Sequence, residues 1–345
     1  MSLTAALVLA AVAVLAALAA HGWWSSRRAL PRKAEGPVQA DAPPERVEPT
    51  LGVLPPAGEP SGLAAPASPR RATSRIDALI DAIATLAVEA PVTGETVLAH
   101  LPPSRRAGGK PLQVEGLNAE TGEWEAPHAQ ARYGELQAGV QLANRSGALN
   151  EIEYSEFVQK IQALADAIGA VPDFPDMLDV VGRARELDAF ASAHDANLAV
   201  HLQANSVAWI VGYLRQCAER HGFVPGHLPG RLVLPVAEEG SPPVLTLSFD
   251  AQAALSEDPA QAAVRRITLS LDVGQTAEAA EPFAAWQQAI RALADEMDAQ
   301  AIDDDGRPIT LQHYTTIAGE LQTLYRALEA RDMAAGSAVA RRLFQ

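Results

Sequence analysis

The sequence predicts an α+β fold, an antiparallel sheet with helices on one face, in two related copies preceded by one transmembrane helix and a disordered linker. Three observations predict it: an apolar opening from Leu3 to Trp24, a Pro- and Ala-rich stretch after it, and a self-similarity at a fixed offset that runs through strand, loop and helix.

The opening, LTAALVLAAVAVLAALAAHGWW, is followed at once by Arg27, Arg28, Arg32 and Lys33. As a helix, residues 3–24 would rise about 33 Å, enough for a hydrocarbon core of about 30 Å. Ala17-Leu18-Ala19 fits a signal-cleavage pattern, but a signal peptide carries its basic residues before the apolar core, and here they come after it. The positive-inside rule then places the N-terminus outside and the bulk of the chain in the cytoplasm, with Trp23 and Trp24 at the headgroups. Residues 1–24 are therefore read as a single-pass anchor.

Residues 25–74 hold the basic cluster and a stretch too poor in large apolar side chains to offset chain entropy, so they are read as a linker. The net charge of −15 argues against a nucleic-acid surface, because phosphate contacts need clustered Lys and Arg. The one cysteine, Cys217, excludes an internal disulfide and is expected to be a buried apolar residue.

The repeat starts from VQKIQALADAIGA at Val158, which matches QQAIRALADEMDA at Gln287 with an offset of 129 positions. The register holds upstream: Phe157 aligns with Trp286, Tyr154 with Phe283, and Val140-Gln141-Leu142 with Leu269-Ser270-Leu271. A second correspondence, near 112 positions, sets residues from Ile76 against residues from Leu187. These matches divide the remainder into a divergent first copy, 75–186, and a second copy, 187–345.

In the second copy, alternation predicts a strand at 197–203, and Ser206 is the expected N-cap of a helix that Gly222 stops. Strands at 231–236 and 244–250 follow, joined by EEGSPP, and another at 267–273. An amphipathic helix at 282–298, a short strand at 300–302, the turn DDDGRP and a helix from Thr310 complete the order βαβββαβα. The first copy has less room between its first strand and Gly139. Only a helical turn at 97–101 and strands at 112–117 and near Trp124 are expected there.

These residues carry a resemblance. The segment 267–325 is similar to the C-terminal half of the FtsZ-binding domain of the bacterial cell division protein ZipA family. The family's strand, its aromatic-led helix with an LAD-like stretch, its acidic pair before a polar turn and its final helix are matched here. They correspond to residues 267–273, Phe283 with Leu293-Ala294-Asp295, Ile302-Asp303-Asp304, and Thr310 onward. The order of anchor, Pro-rich linker and C-terminal domain matches too.

The resemblance implies a cell division adaptor of the inner membrane that binds the C-terminal tail of FtsZ and tethers or stabilises the division ring. In the family, the helix-free sheet face forms a shallow groove for that peptide. The positions expected on this face are Ala199, His201, Leu232, Leu234, Thr246, Ser248, Thr268 and Ser270. Thr268 and Ser270 stand where the family uses large apolar side chains. An alternative with the same layout is a membrane-tethered envelope or division scaffold that binds a different protein.

No enzyme, cofactor or metal is expected. The chain contains no G-x-S-x-G, no Walker loop and no H-E-x-x-H, and Gly108-Gly109-Lys110 lacks the flanking residues of a phosphate loop. Asp303-Asp304-Asp305-Gly306 reads as a solvated turn rather than a calcium loop.

Overall fold

The first half begins with β1 (Asp81–Thr93), whose alternating Ala82, Ala84 and Leu86 are buried on one face. The computed structural model describes residues 75–236, 241–256 and 262–345. The apolar opening and the linker lie outside them. Among the described residues no helix is long and apolar enough to cross a membrane.

After β1 come α1 (Gly94–His100), β2 (Arg106–Ala107), β3 (Lys110–Asn118), β4 (Trp124–Glu125) and β5 (Arg132–Gln141). A small hairpin of β6 (Ala143–Asn144) and β7 (Gly147–Ala148) leads into α2 (Glu151–Ile168), β8 (Ala170–Asp173) and α3 (Met177–His194). The strands form one antiparallel sheet in the order β2-β3-β5-β1-β8, with β4 paired to β3. Helix α2 starts at a capping box in which Asn150 and Glu153 satisfy each other's backbone N–H. It buries Tyr154, Phe157, Ile161 and Leu164 at helical spacing and ends at Gly169 in the left-handed region.

The second half runs β9 (Asn197–Ala204), β10 (Trp209–Ile210), α4 (Val211–Arg220), β11 (Val224–Pro225), β12 (Arg231–Leu234) and β13 (Leu245–Ser248). Then come α5 (Ala251–Ala254), β14 (Ala263–Val264), β15 (Arg266–Asp272), α6 (Pro282–Glu296), β16 (Ala299–Ile302), α7 (Leu311–Glu329) and α8 (Ala338–Leu343). Its main sheet, also antiparallel, has the order β11-β12-β13-β15-β9-β16. Helix α6 lies on this sheet. Trp286 is 1% exposed and its Nε1 donates to the Leu269 carbonyl at 3.2 Å, so burial of the ring, worth about 2–3 kcal/mol for a large side chain, leaves no orphan donor.

The offset of 129 holds through one helix and the strand after it: Phe157 and Trp286, Ile161 and Ile290, and Leu164 and Leu293 are buried pairwise in α2 and α6, and β8 is answered by β16. Gly169 (φ 69°) is answered by Asp298 (φ 49°). Asp, unlike bulkier residues, tolerates this conformation because its short side chain finds local partners. Here Asp298 accepts from Asn205 Nδ2 at 3.0 Å and Ser206 Oγ at 2.8 Å.

Three expectations are corrected. The boundary at 186/187 falls inside α3, whose Val180, Ala184, Leu187 and Ala191 all belong to the first core. The match near 112 does not follow the backbone, because 187–194 is helical whereas 78–80 is a turn. In the ladders Val140 pairs with Ala82 and Leu269 with Val200, so Ala82 answers Val200, an offset of 118. The two offsets differ by an even number, which preserves the sheet face because strand side chains alternate with period two. Ser206, expected as an N-cap, bonds Asp298 instead; the chain first pairs β10 with β14, and α4 starts only at Val211.

All the described residues fall in one compact unit, Ser68–Gln345. Residues after α7 return to the first half: Leu328, at the end of α7, and Met333, Ala340, Leu343 and Phe344 pack in the first core. Arg145, held in its charged form by Asp195 and Asp272, joins the halves with contacts of 2.6 and 2.7 Å.

Candidate functional site

The helix-free face of the second sheet can be built row by row from the register. One row crosses Val233, Thr246, Ser270 and Ala199. The next crosses Arg231, Ser248, Thr268, His201 and Ile302. With strands about 4.8 Å apart, these side chains form a continuous surface. Short residues dominate it, so its relief is low.

His201, Thr268 and Ser270 on this face are tied down. His201 bonds Thr268 Oγ1 through Nδ1 at 2.9 Å and Asp304 Oδ1 through Nε2 at 3.0 Å. Ser270 Oγ donates to the Thr246 carbonyl at 3.3 Å. At the end of the face where Asn197 and Asp272 pair, a cleft of about 330 Å³ opens between Arg231, Pro243, Thr246 and Ser270. A short extended peptide could lie there against a half-polar floor.

Six expected positions, Ala199, His201, Thr246, Ser248, Thr268 and Ser270, share this face. Leu232 and Leu234 do not. Leu232 pairs with Leu247 and is 3% exposed, and Leu234 pairs with Leu245 and packs against the same core. Arg231 and Val233 take the outward places instead. The strand reads Leu-Val-Leu, apolar at every position, so alternation alone could not say which side faces the helices. Only the pairing with Leu245 and Leu247, which face the helices, sets the side.

The equivalent face of the first sheet is already occupied. Ile76 lies over Gly139, where a Cβ would come within 2.8 Å of its side chain. The Arg75 and Ile76 N–H groups donate to Glu115 Oε1, and Gln137 Nε2 donates to Glu115 Oε2 at 3.0 Å. Asp81, Glu115 and Gln141 are buried on this side. Sequence reading missed this strap, because a residue covering its own sheet leaves no periodic signal.

The other polar clusters among the described residues are tied into local structure. Asp303 folds back on its own turn, accepting the Asp305 and Arg307 N–H groups at 3.0 and 2.7 Å. Among the described residues no group of three His, Cys, Asp or Glu side chains could hold a metal ion. Cys217 is fully buried and accepts from Arg220 Nη2 at 3.4 Å. Lys110, 1% exposed, donates to Asn144 Oδ1 at 2.7 Å and to the Gly147 carbonyl. Burial pushes its ammonium pKa down while Glu153 pulls it up, and its three acceptors make it a tie between hairpins. No family model and no curated protein matches the chain.

Proposed function

We propose that this chain is a membrane-tethered adaptor of the ZipA type, two copies of one α+β fold on a flexible arm, whose second copy binds the C-terminal tail of FtsZ at the inner membrane. The observation that carries the reading is the contrast between the two sheets. The first is covered by residues 75–77 on its helix-free face, whereas the second presents a flat face with a cleft at one end. Such a face accepts a short peptide by apolar contact at Val233 and Ala199 and by hydrogen bonds to the polar rows.

The test is a calorimetric titration of the chain, reconstituted in lipid nanodiscs, with a peptide copying the FtsZ C-terminus. Heat of binding with an affinity in the micromolar range is expected. Absence of heat at high micromolar peptide would leave a tethered scaffold with a different protein partner as the better reading.

A further inference from the structure

A second groove lies on the opposite, helical side of the second half, between the start of α6 and the middle of α7. It encloses about 300 Å³ and is lined by Pro282, Phe283, Leu321 and Tyr325, with Glu278 and Glu281 among its residues. Two features mark it as a binding site rather than a packing gap. Tyr325 is 8% exposed and its hydroxyl is buried with no hydrogen-bond partner. Burying an unmade hydrogen bond is costly, and native proteins leave few of them. The second feature is charge. Glu278 and Glu281 line the groove, and neither forms an ion pair among the described residues. Glu281 is moreover held at φ 47°, a conformation disfavoured for a residue with a long side chain.

We infer that this groove docks a basic, apolar-anchored peptide segment of a partner protein: a large aliphatic or aromatic side chain enters between Phe283 and Leu321, and a flanking Arg or Lys meets Glu278 and Glu281. The apolar walls supply burial, the two carboxylates supply complementarity and on-rate, and the Tyr325 hydroxyl gains a partner in the bound peptide. Glu278 already acts on the Tyr325 hydroxyl, which burial and that carboxylate together push up to about 12, so anchor and charge belong to one site. The inference does not depend on the sheet-face reading, since the two surfaces lie on opposite sides of the sheet.

The probe is a fluorescent decapeptide with one central Phe-Leu pair flanked by two Arg on each side, and its twin with Glu for Arg. Anisotropy on the full chain in nanodiscs, at 150 mM salt, should show at least tenfold preference for the basic probe. Glu278→Gln with Glu281→Gln should lower that affinity about tenfold, whereas Glu89→Gln with Glu95→Gln, equal in charge but on the first half, should not change it. Tyr325→Phe should weaken the probe severalfold while leaving the melting temperature unchanged or raised, because it deletes an unpaired hydroxyl. Ser270→Arg, on the sheet face, should leave the basic probe unaffected. The inference is overturned by equal affinity for the two probes, by equal effects of the two Glu-to-Gln pairs, by loss of probe on Ser270→Arg, or by a fall in melting temperature on Tyr325→Phe. It is likewise overturned if a second copy of the chain fills the groove, seen as a dimer that Glu278→Gln with Glu281→Gln dissolves.

Discussion

Arg342, in the last helix, grips Asp81 at the start of the first strand with two parallel hydrogen bonds, Nη2 to Oδ1 at 2.6 Å and Nη1 to Oδ2 at 2.8 Å. Asp81 is 1% exposed, and burial pushes its carboxyl pKa up against the pull of the guanidinium. The same guanidinium reaches the Arg75 carbonyl, and Gln141 Nε2 donates to the Arg342 carbonyl at 2.7 Å. Residues 75–81 and Gln141 of the first sheet are thus clamped by Arg342.

Breaking that clamp on one side should be severe. Arg342→Met leaves a buried carboxylate without its counter-charge and is expected to cost about 3–5 kcal/mol, whereas Arg342→Met with Asp81→Asn should recover much of the loss. Urea unfolding of both variants checks it. Equal destabilisation by the single and double variants would show that the pair is not the clamp.

The Asp298 carboxylate gives a pH signature. Hydrogen bonds from Asn205 and then Ser206 lower its pKa below the usual carboxylate value of about 3.8–3.9. A lowered acid contributes stability that is present above the unfolded-state pKa and lost as pH falls through the folded one. Asp298→Asn should therefore destabilise the protein at pH 7, and the gap from the parent should close below about pH 4. Denaturant midpoints at pH 7 and pH 3 measure both; a gap that does not change with pH would sink the assignment.

Gly336 is a position where backbone meets backbone. Its φ is +73°, and a Cβ there would come 2.2 Å from the Ala277 nitrogen. Gly336→Ala is expected to lower stability by more than the roughly 1–2 kcal/mol of the left-handed conformation alone. Thermal unfolding reads it, and a melting temperature equal to the parent's would contradict the contact.

The two faces of β12 and its neighbours should separate folding from binding. Leu232→Asp places a charge in the core and is expected to cost about 3 kcal/mol or more, visible as loss of cooperative melting. Ser270→Arg, on the open face, should keep the parent's melting curve and abolish binding of an FtsZ-tail peptide. Unchanged peptide affinity in Ser270→Arg would move the peptide site off this sheet.

Much of the second half was legible in sequence. Alternation at Leu198, Val200 and Leu202, the helix that buries Trp286, Ile290 and Leu293, and the stop at Gly222 (φ 83°) depend on residues close in the chain. The offset of 129 was legible because matched positions such as Phe157 and Trp286 fill the same kind of core site. The candidate site was half legible: Thr246, Ser248, Thr268 and Ser270 announce an outward face by being polar. Leu232 and Leu234 misled because a strand of three apolar residues carries no alternation.

What the sequence by itself determined is therefore the α+β class and most of the second half's longer elements in their order, because helix and strand periodicity, caps and turns are written in neighbouring residues. Tertiary structure decided which face of β12 looks outward, that residues 75–77 cover the first sheet, and that the final residues from Leu328 onward complete the first core. Those outcomes rest on pairings between residues far apart in the chain, such as Asp81 with Arg342, and such a pairing leaves no periodic trace in either segment alone.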